Sequence, residues 1–312
     1  MHIPVLADEV LTLLDPQPGE TLVDCTAGLG GHASLLAPRL LPHGTLVLND
    51  VDPANLAHAR ARAALAAPGL RILDIRGNFA ELPPTLLRLG LRADLLLADL
   101  GFSSNQVEDP ARGLSFQRAG PLDMRLDPSL PRSAVDVVNH WSESELDRVI
   151  REFGEDRNAA RIARKLVEAR ALEPITTTQR LAEIVRSAFG GHSGGSRIDP
   201  ATRTFQALRI AVNDEIACLE ALLAWIDRAA TSKTDDWLSR NARLAFIAFH
   251  SLEDRPVKHA FASLVQRGLA SFLVRGAATA SAAESAANPR ARSAKLRAIR
   301  VLPSGDSPIG AV

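Results

Sequence analysis

Cysteine is scarce in this 312-residue chain, with only Cys25 and Cys218, far apart and in no CxxC pair or Cys/His cluster. That excludes a structural zinc site of the usual spacing and fits a reducing compartment. Net charge is absent as well, because 36 acidic and 36 basic residues cancel. Global charge therefore announces no nucleic-acid partner, and any such contact has to come from local clustering. Lysine is rare: Lys165, Lys233, Lys258 and Lys295 are the only four, so 32 of the basic residues are arginine. Arginine suits forked contacts to phosphates and bases, although genome composition produces the same bias. Long apolar runs are missing too. Asp8, Glu9 and Asp15 interrupt the N-terminal stretch, and no segment approaches the length of a membrane span. The expectation is a cytoplasmic protein, neither secreted nor membrane-embedded, whose 46% hydrophobic residues can supply a sizeable core.

What is present is a rhythm of short β-type runs separated by helical stretches. Thr21 to Asp24, Thr45 to Asn49, Arg71 to Ile75 and Ala93 to Ala98 are flanked by Gly, Pro and Asn. They predict buried parallel strands joined by right-handed helical crossovers, a doubly wound, mostly parallel α/β sheet. From about residue 105 to 203 helix starts replace strands. Ser142 to Glu145 and Thr176 to Gln179 are expected to be capping boxes of amphipathic helices. Residues 106–205 are thus expected to form an inserted all-helical domain for substrate recognition, with residues 1–105 and 206–312 forming the discontinuous main domain. From Phe205 apolar positions recur every three or four residues to 226, predicting one long helix. Leu244 to Phe249 resumes the strand pattern. Phe272 to Val274, a mobile Ala/Ser-rich loop over 277–287, and a last strand near Leu296 to Leu302 complete the expectation.

The chemistry starts at Asp24-Cys25-Thr26-Ala27-Gly28-Leu29-Gly30-Gly31-His32, where glycines permit a tight turn and a close ligand approach. Gly28-x-Gly30-x-x-Ala33 satisfies the relaxed dinucleotide fingerprint, and Asp50 lies about 20 residues on. An acid at the first strand's end is unwelcome to a pyrophosphate, however, and Asp24 sits there. It suits the cationic ammonium and sulfonium of S-adenosylmethionine. The next strand ends follow in order: Asp50 for ribose hydroxyls, Gly77-Asn78-Phe79 for the adenine face, and Asp99 for an amine or ammonium. Plainer readings stand beside these, with Phe79 as core and Asp52 as a helix cap for Pro53 onward.

Eight blocks carry a resemblance that runs nearly end to end. They are His2 to Leu6, Thr26 to His32, Gly77 to Phe79, Asp99 to Ser104, Gly120 to Arg125, Pro200 to Ile210, Phe249 to Arg255 and Asn288 to Arg297. Together they resemble the bacterial RsmH (MraW) family. The resemblance implies a class I methyltransferase fold with an inserted helical domain. It also implies methylation of the exocyclic N4 of a cytidine in the decoding region, at the P site, of 16S ribosomal RNA within the small subunit. By matching motif it implies cofactor contacts at Gly30, Gly31, His32, Asp50, Phe79, Asp99 and Gln106, to which the reading of the strand end adds Asp24. Ala27 and Leu29 stand where the family usually has Leu and Gly, and Asn105 stands where Pro is usual.

For catalysis, the loop from Asp99 through Ser103 to Ser104 occupies the place of the Asp/Asn-Pro-Pro-aromatic motif of amino-methyltransferases. Asp99 and Ser103 are expected to handle the amine, with His250 as a rival base or, equally, a residue bonding its own turn. Pro121 to Arg125 lines the substrate mouth or fixes the start of the insertion. Arg290, Arg292, Lys295, Arg297 and Arg300 form a run without an intervening acid, while Arg197, Arg203 and Arg209 frame the exit from the insertion. Arg203, Arg290, Arg292 and Arg297 are therefore expected to touch RNA, although such a run is commonly just a solvated face. No metal site is expected, and a homodimer is left open. The competing classes are an NAD-dependent dehydrogenase and a catalytically inactive ribosome-binding scaffold.

Overall fold

The computed structural model describes residues 4–189, 199–232 and 236–303. The expectations placed on His2, Ile3 and Arg197 fall outside that range. The chain divides into two compact units, Met1–Gly101 with Ile216–Val312, and Phe102–Glu215.

The first unit is a seven-stranded sheet of β1 (Thr21–Asp24), β2 (Thr45–Asp50), β3 (Arg71–Arg76), β4 (Ala93–Asp99), β5 (Leu238–Ala248), β6 (Ala270–Phe272) and β7 (Lys295–Val301). Its order is β3-β2-β1-β4-β5-β7-β6. The first five strands run parallel, and β7 runs antiparallel to both β5 and β6. Both faces of the central strands are buried, which is why the sequence shows unbroken apolar runs there instead of alternation. On β4, Leu96 and Ala98 enter one core with Val23, Val47 and Phe246, while Leu95 and Leu97 enter the other with Leu22, Leu46 and Ile247. Phe246 meets Phe261 edge-on, with centroids 5.5 Å apart, an arrangement worth about 0.5–1.5 kcal/mol beyond its buried area.

Helices α1 (Ala7–Leu14), α2 (Gly31–Leu36), α3 (Pro53–Ala66), α4 (Leu82–Arg88), α11 (Glu215–Thr231), α12 (Ser251–Gln266) and α13 (Ala282–Ala287) accompany the sheet, α11 beginning at the last residue of the second unit. The second unit carries α5 (Ser104–Glu108), α6 (Ala134–His140), α7 (Glu143–Gly154), α8 (Ala159–Arg170), α9 (Thr178–Ser187) and α10 (Ala201–Asn213). Its core joins Leu122, Val138, Leu146, Ile162, Leu181 and Leu208. Among its described residues the only β feature is an isolated bridge between Pro121 and Thr177. Ser142 and Glu145 form the expected capping box. At α9 the cap is Thr177, not Thr176, because the Thr176 carbonyl is taken by the Leu122 N–H.

Three further expectations are corrected. The single long helix after Phe205 is two, broken at Asp214 with φ 50°. Asn213 accounts for the break: its side chain accepts from Leu126 N and donates to the carbonyls of Met124 and Arg209. Apolar periodicity runs straight through this point, so only the polar Asn213-Asp214 step signals it. The Ala/Ser-rich stretch is not simply a loop, since it contains α13, capped by Ser281. Alanine is the strongest helix former, and serine is a good N-cap. Glu284 of that helix accepts from Leu6 N at 2.7 Å. Finally, β5 begins at Leu238 rather than near Leu244. Its first half is polar and contains Asn241 with φ 69°, which hid it from pattern reading.

Candidate cofactor and catalytic site

Strand order reverses between β1 and β4, and open α/β sheets bind ligands at the carboxyl ends of strands beside such a reversal. There the loops are laced together. The Asp99 N–H donates to Thr26 Oγ1 at 2.7 Å, and the Ala27 N–H donates to the Asn49 carbonyl at 2.8 Å. Asn49 Nδ2 donates to the carbonyls of Ile75 and Gly77. Gly28 N donates to Asp50 Oδ2 at 2.8 Å, and Asp52 N donates to Asp50 Oδ1 at 2.8 Å. Asp50 thus ties the glycine turn to its own loop before any ligand is considered. Asp52 takes the plainer role, capping α3 by accepting from Ala54 N.

The two turn glycines differ in purpose. Gly28 and Gly30 have φ 50° and 72°, backbone that side chains disfavour. A Cβ on Gly30 would stand 2.6 Å from Ala59 Cα, so this glycine admits the close approach of α3. Gly31 opens α2, against Pro4. Phe79 packs half-buried on the core after Asn78, whose side chain accepts from Ala80 N.

Four acids converge electrostatically. Asp24 is 2% exposed and Glu253 3%. Burial pushes the Asp24 carboxyl up to about 7, opposed by the Thr26 N–H and helped to a smaller extent by the charge of Asp50. Asp99 is pushed up to about 8, first by burial and then by the charges of Asp24 and Glu253, with Arg290 pulling it back. Asp50 is also raised, chiefly by burial. Asp99 Oδ1 is buried with no hydrogen-bond partner among the described residues, while Oδ2 lies 3.6 Å from His32 Nε2. A largely buried cluster of carboxylates of this kind calls for a cation or a neutral N–H donor, and it repels a pyrophosphate.

Beside it, the His250 turn opens α12. His250 Nε2 lies 3.2 Å from Glu253 Oε1, and Glu253 Oε2 accepts from Phe249 N at 2.9 Å. His250 Nδ1 is buried without a partner among the described residues. Glu253 and the approach of Arg290 to Asp99 were missed in the sequence. The Phe249-to-Arg255 block contained Glu253, but nothing in its spacing showed that the side chain turns inward.

The arginine run is not free of acid in space. Arg297 Nε and Nη2 bind the two oxygens of Asp254 at 2.6 and 3.1 Å, and Lys295 Nζ lies 3.2 Å from the same carboxylate. Arg292 is exposed and donates to the Ser285 carbonyl. In the second unit Arg203 is exposed, donating to the Glu155 carbonyl. There too, Ser103 caps α5: its N–H donates to Gln106 Oε1, and its hydroxyl donates to Asn105 Oδ1 at 2.7 Å. Gln106 is 4% exposed. Asp123 and Arg125 form a forked pair at 2.8 and 2.7 Å, which fits the reading that this block fixes local structure. Among the described residues no His/Cys/Asp/Glu group could hold a metal ion, and no helix is long and apolar enough to cross a membrane.

A sheet of this order, closed by a reversed β7 and carrying an acidic cluster at its switch point, is a class I, Rossmann-like methyltransferase fold. The family model described as the MraW methylase family matches residues 1–302, and the chain belongs to that family. It is 46% identical over 317 residues to the ribosomal RNA small subunit methyltransferase H of Syntrophotalea carbinolica, covering 96% of this chain and 98% of that protein. The enzyme of the same name from Desulfosudis oleivorans is 43% identical, with 95% and 97% covered. Among solved structures, NSun6 of Pyrococcus horikoshii overlaps at a TM-score of 0.44 with 11% identity, over 96% of this chain and 52% of that one. That likeness is too slight to carry weight.

Proposed function

We propose that this protein is an S-adenosylmethionine-dependent methyltransferase acting on the exocyclic N4 of a cytidine in the decoding region of 16S ribosomal RNA. The observation that carries the reading is Asp99, a carboxylate at the switch point with one buried oxygen that has no partner among the described residues, near the further acids Asp24, Asp50 and Glu253. The names of the relatives support small-subunit ribosomal RNA as the substrate, and the motif resemblance supports N4.

Bound S-adenosylmethionine supplies an electrophilic methyl group on a sulfonium. The residues of the first unit fit such a cation: Asp24 and Asp99 offer negative charge, Asp50 offers ribose acceptors, and Phe79 an apolar face. Gly30, Gly31 and His32, and by resemblance alone Gln106, supply the remaining family contacts. A cytosine amine is a poor nucleophile because its lone pair is delocalised into the ring. By accepting an N–H, Asp99 holds the amine and favours the pyramidal nitrogen of the transition state, a contact strengthened where water is excluded. Ser103 belongs to the same loop, and His250 is the second acceptor for the departing proton. The base has to be unpaired, because N4 in a stacked pair cannot enter a closed pocket. Arg203, Arg290 and Arg292 are assigned to the RNA backbone, whereas Arg297 holds Asp254.

Incubation of undermethylated small subunits with the protein and labelled S-adenosylmethionine is expected to give N4-methylcytidine on nucleoside analysis by mass spectrometry. Label on another atom would remove the N4 assignment, and reduction of NAD in place of methyl transfer would remove the class. Asp50→Ala is expected to weaken cofactor binding by about 1.5–3 kcal/mol, the range for hydrogen bonds to a charged group. Asp50→Asn serves as the control that retains an acceptor for the loop N–H groups. Unchanged affinity in the alanine variant by calorimetry would sink the ribose role.

A further inference from the structure

Phe102 opens the second unit, three residues after Asp99 in the chain, and the chemistry above makes no use of it. Its 39% exposure makes it one of two exposed aromatic side chains among the described residues, Phe272 being the other. The Arg209 guanidinium lies over its ring, 4.5 Å from the centroid. Arg209 itself is only 8% exposed, and its Nε and Nη2 bind the two oxygens of Glu215 at 2.7 and 2.8 Å. A forked ion pair of this geometry fixes the plane of the guanidinium. The cation in turn fixes the ring above it. The guanidinium takes one side of the ring, and 39% of the residue remains exposed.

We infer that Phe102 is a stacking platform for an unpaired base of the RNA substrate, held in place by Arg209 and Glu215. The inference rests on the proposed action on RNA. Stacking on an aromatic face is the sequence-tolerant way a protein takes a single-stranded base, because every base presents a π surface. A ring already immobilised by a buried ion pair loses little freedom when a base settles on it, so more of the contact energy appears as affinity. Glu215, Arg209 and Phe102 form a column from a mostly buried carboxylate to a partly exposed ring, and all three lie within the helical unit. A ring serving only to cover the ion pair could be replaced by another apolar side chain for the modest cost of its cation–π contact, without a change in RNA recognition, which makes the two roles separable.

Phe102→Leu keeps an apolar cover over Arg209 and removes the π face, whereas Phe102→Trp keeps both. The leucine variant is expected to lose about 10- to 100-fold in kcat/KM for small subunits, the size of one missing base–aromatic stack. Adenosylhomocysteine affinity should stay unchanged, and the thermal midpoint should fall by no more than a few degrees, the size of one lost cation–π contact. The slope of RNA affinity against salt should also stay unchanged, because no phosphate contact is removed. The tryptophan variant is expected to stay within a few-fold of the wild-type protein. Wild-type kinetics in Phe102→Leu would overturn the inference and leave the ring as a cover. An equal loss in both variants would overturn it as well, marking a packing defect. The methylated atom in the wild-type product tests the proposed function separately, since a methyl elsewhere on the RNA removes the N4 assignment and leaves the comparison of the two variants readable.

Discussion

Asp99→Ala is expected to slow single-turnover methyl transfer by a factor on the order of 100 or more while RNA affinity stays close to wild type, as when a contact made in the transition state is removed. The expectation follows from where the carboxylate sits. Its backbone is anchored to Thr26 Oγ1, Oδ1 is buried without a protein partner among the described residues, and Oδ2 faces His32. A carboxylate held so firmly with one oxygen unengaged is organised for an incoming N–H before the reaction begins. Because Asp99 is also proposed as a cofactor contact, the rate has to be read at saturating S-adenosylmethionine. Ser103→Ala is the companion variant. The Ser103 hydroxyl is occupied by Asn105, so a small effect there beside a large one at Asp99 places the chemistry on the carboxylate. Near-normal turnover in Asp99→Ala under saturation would overturn its role and move attention to His250 Nδ1.

S-adenosylmethionine should bind more tightly as pH rises, by about tenfold or more between pH 6 and 8. Asp24 and Asp99 are raised from 3.8 to about 7 and about 8, mainly by burial, so near pH 6 both hold a proton. A cationic ligand favours their ionised forms and expels those protons, and each proton released on binding makes affinity rise by up to about tenfold per pH unit. The same shifts act on the ligand-free fold with the opposite sign. Between about pH 4 and 8 the native state binds more protons than the unfolded chain, so this contribution to stability is full at acid pH and fades as pH climbs through the raised values. Calorimetry in two buffers of different ionisation enthalpy reads the proton release directly. Adenosylhomocysteine, which lacks the sulfonium charge, should show the shallower dependence. A flat pH profile with no proton release would show that these acids do not face the cofactor.

The strands of the parallel sheet were legible because each is a short apolar run closed by Gly, Pro, Asn or Asp, and strand ends fall where those runs stop. The positions of the acids proposed for the site could be read for the same reason: Asp24, Asp50 and Asp99 are the final residues of β1, β2 and β4. What escaped depends on contacts between distant positions. No spacing in the arginine run reveals that Asp254, 43 residues before Arg297, supplies its counter-charge. Arg209 and Phe102 stand 107 residues apart, so their stacking has no local signature. The break at Asp214 escaped because the apolar period continues through it, and α13 because alanine and serine describe a flexible loop and a capped helix equally well.

The central strand pairing also has a temporal consequence. Strand β4 completes its hydrogen bonds only against β5, and Asp99 precedes Leu238 by 139 positions. At the roughly 5–20 residues per second of protein synthesis, the leucine-rich edge of β4 waits on the order of 10 s or more for its neighbour to leave the ribosome. An exposed apolar edge is a template for pairing with other chains. The nascent first half of the protein is therefore the species most in need of a chaperone, and slowing translation of the helical segment would raise aggregation without altering the finished molecule.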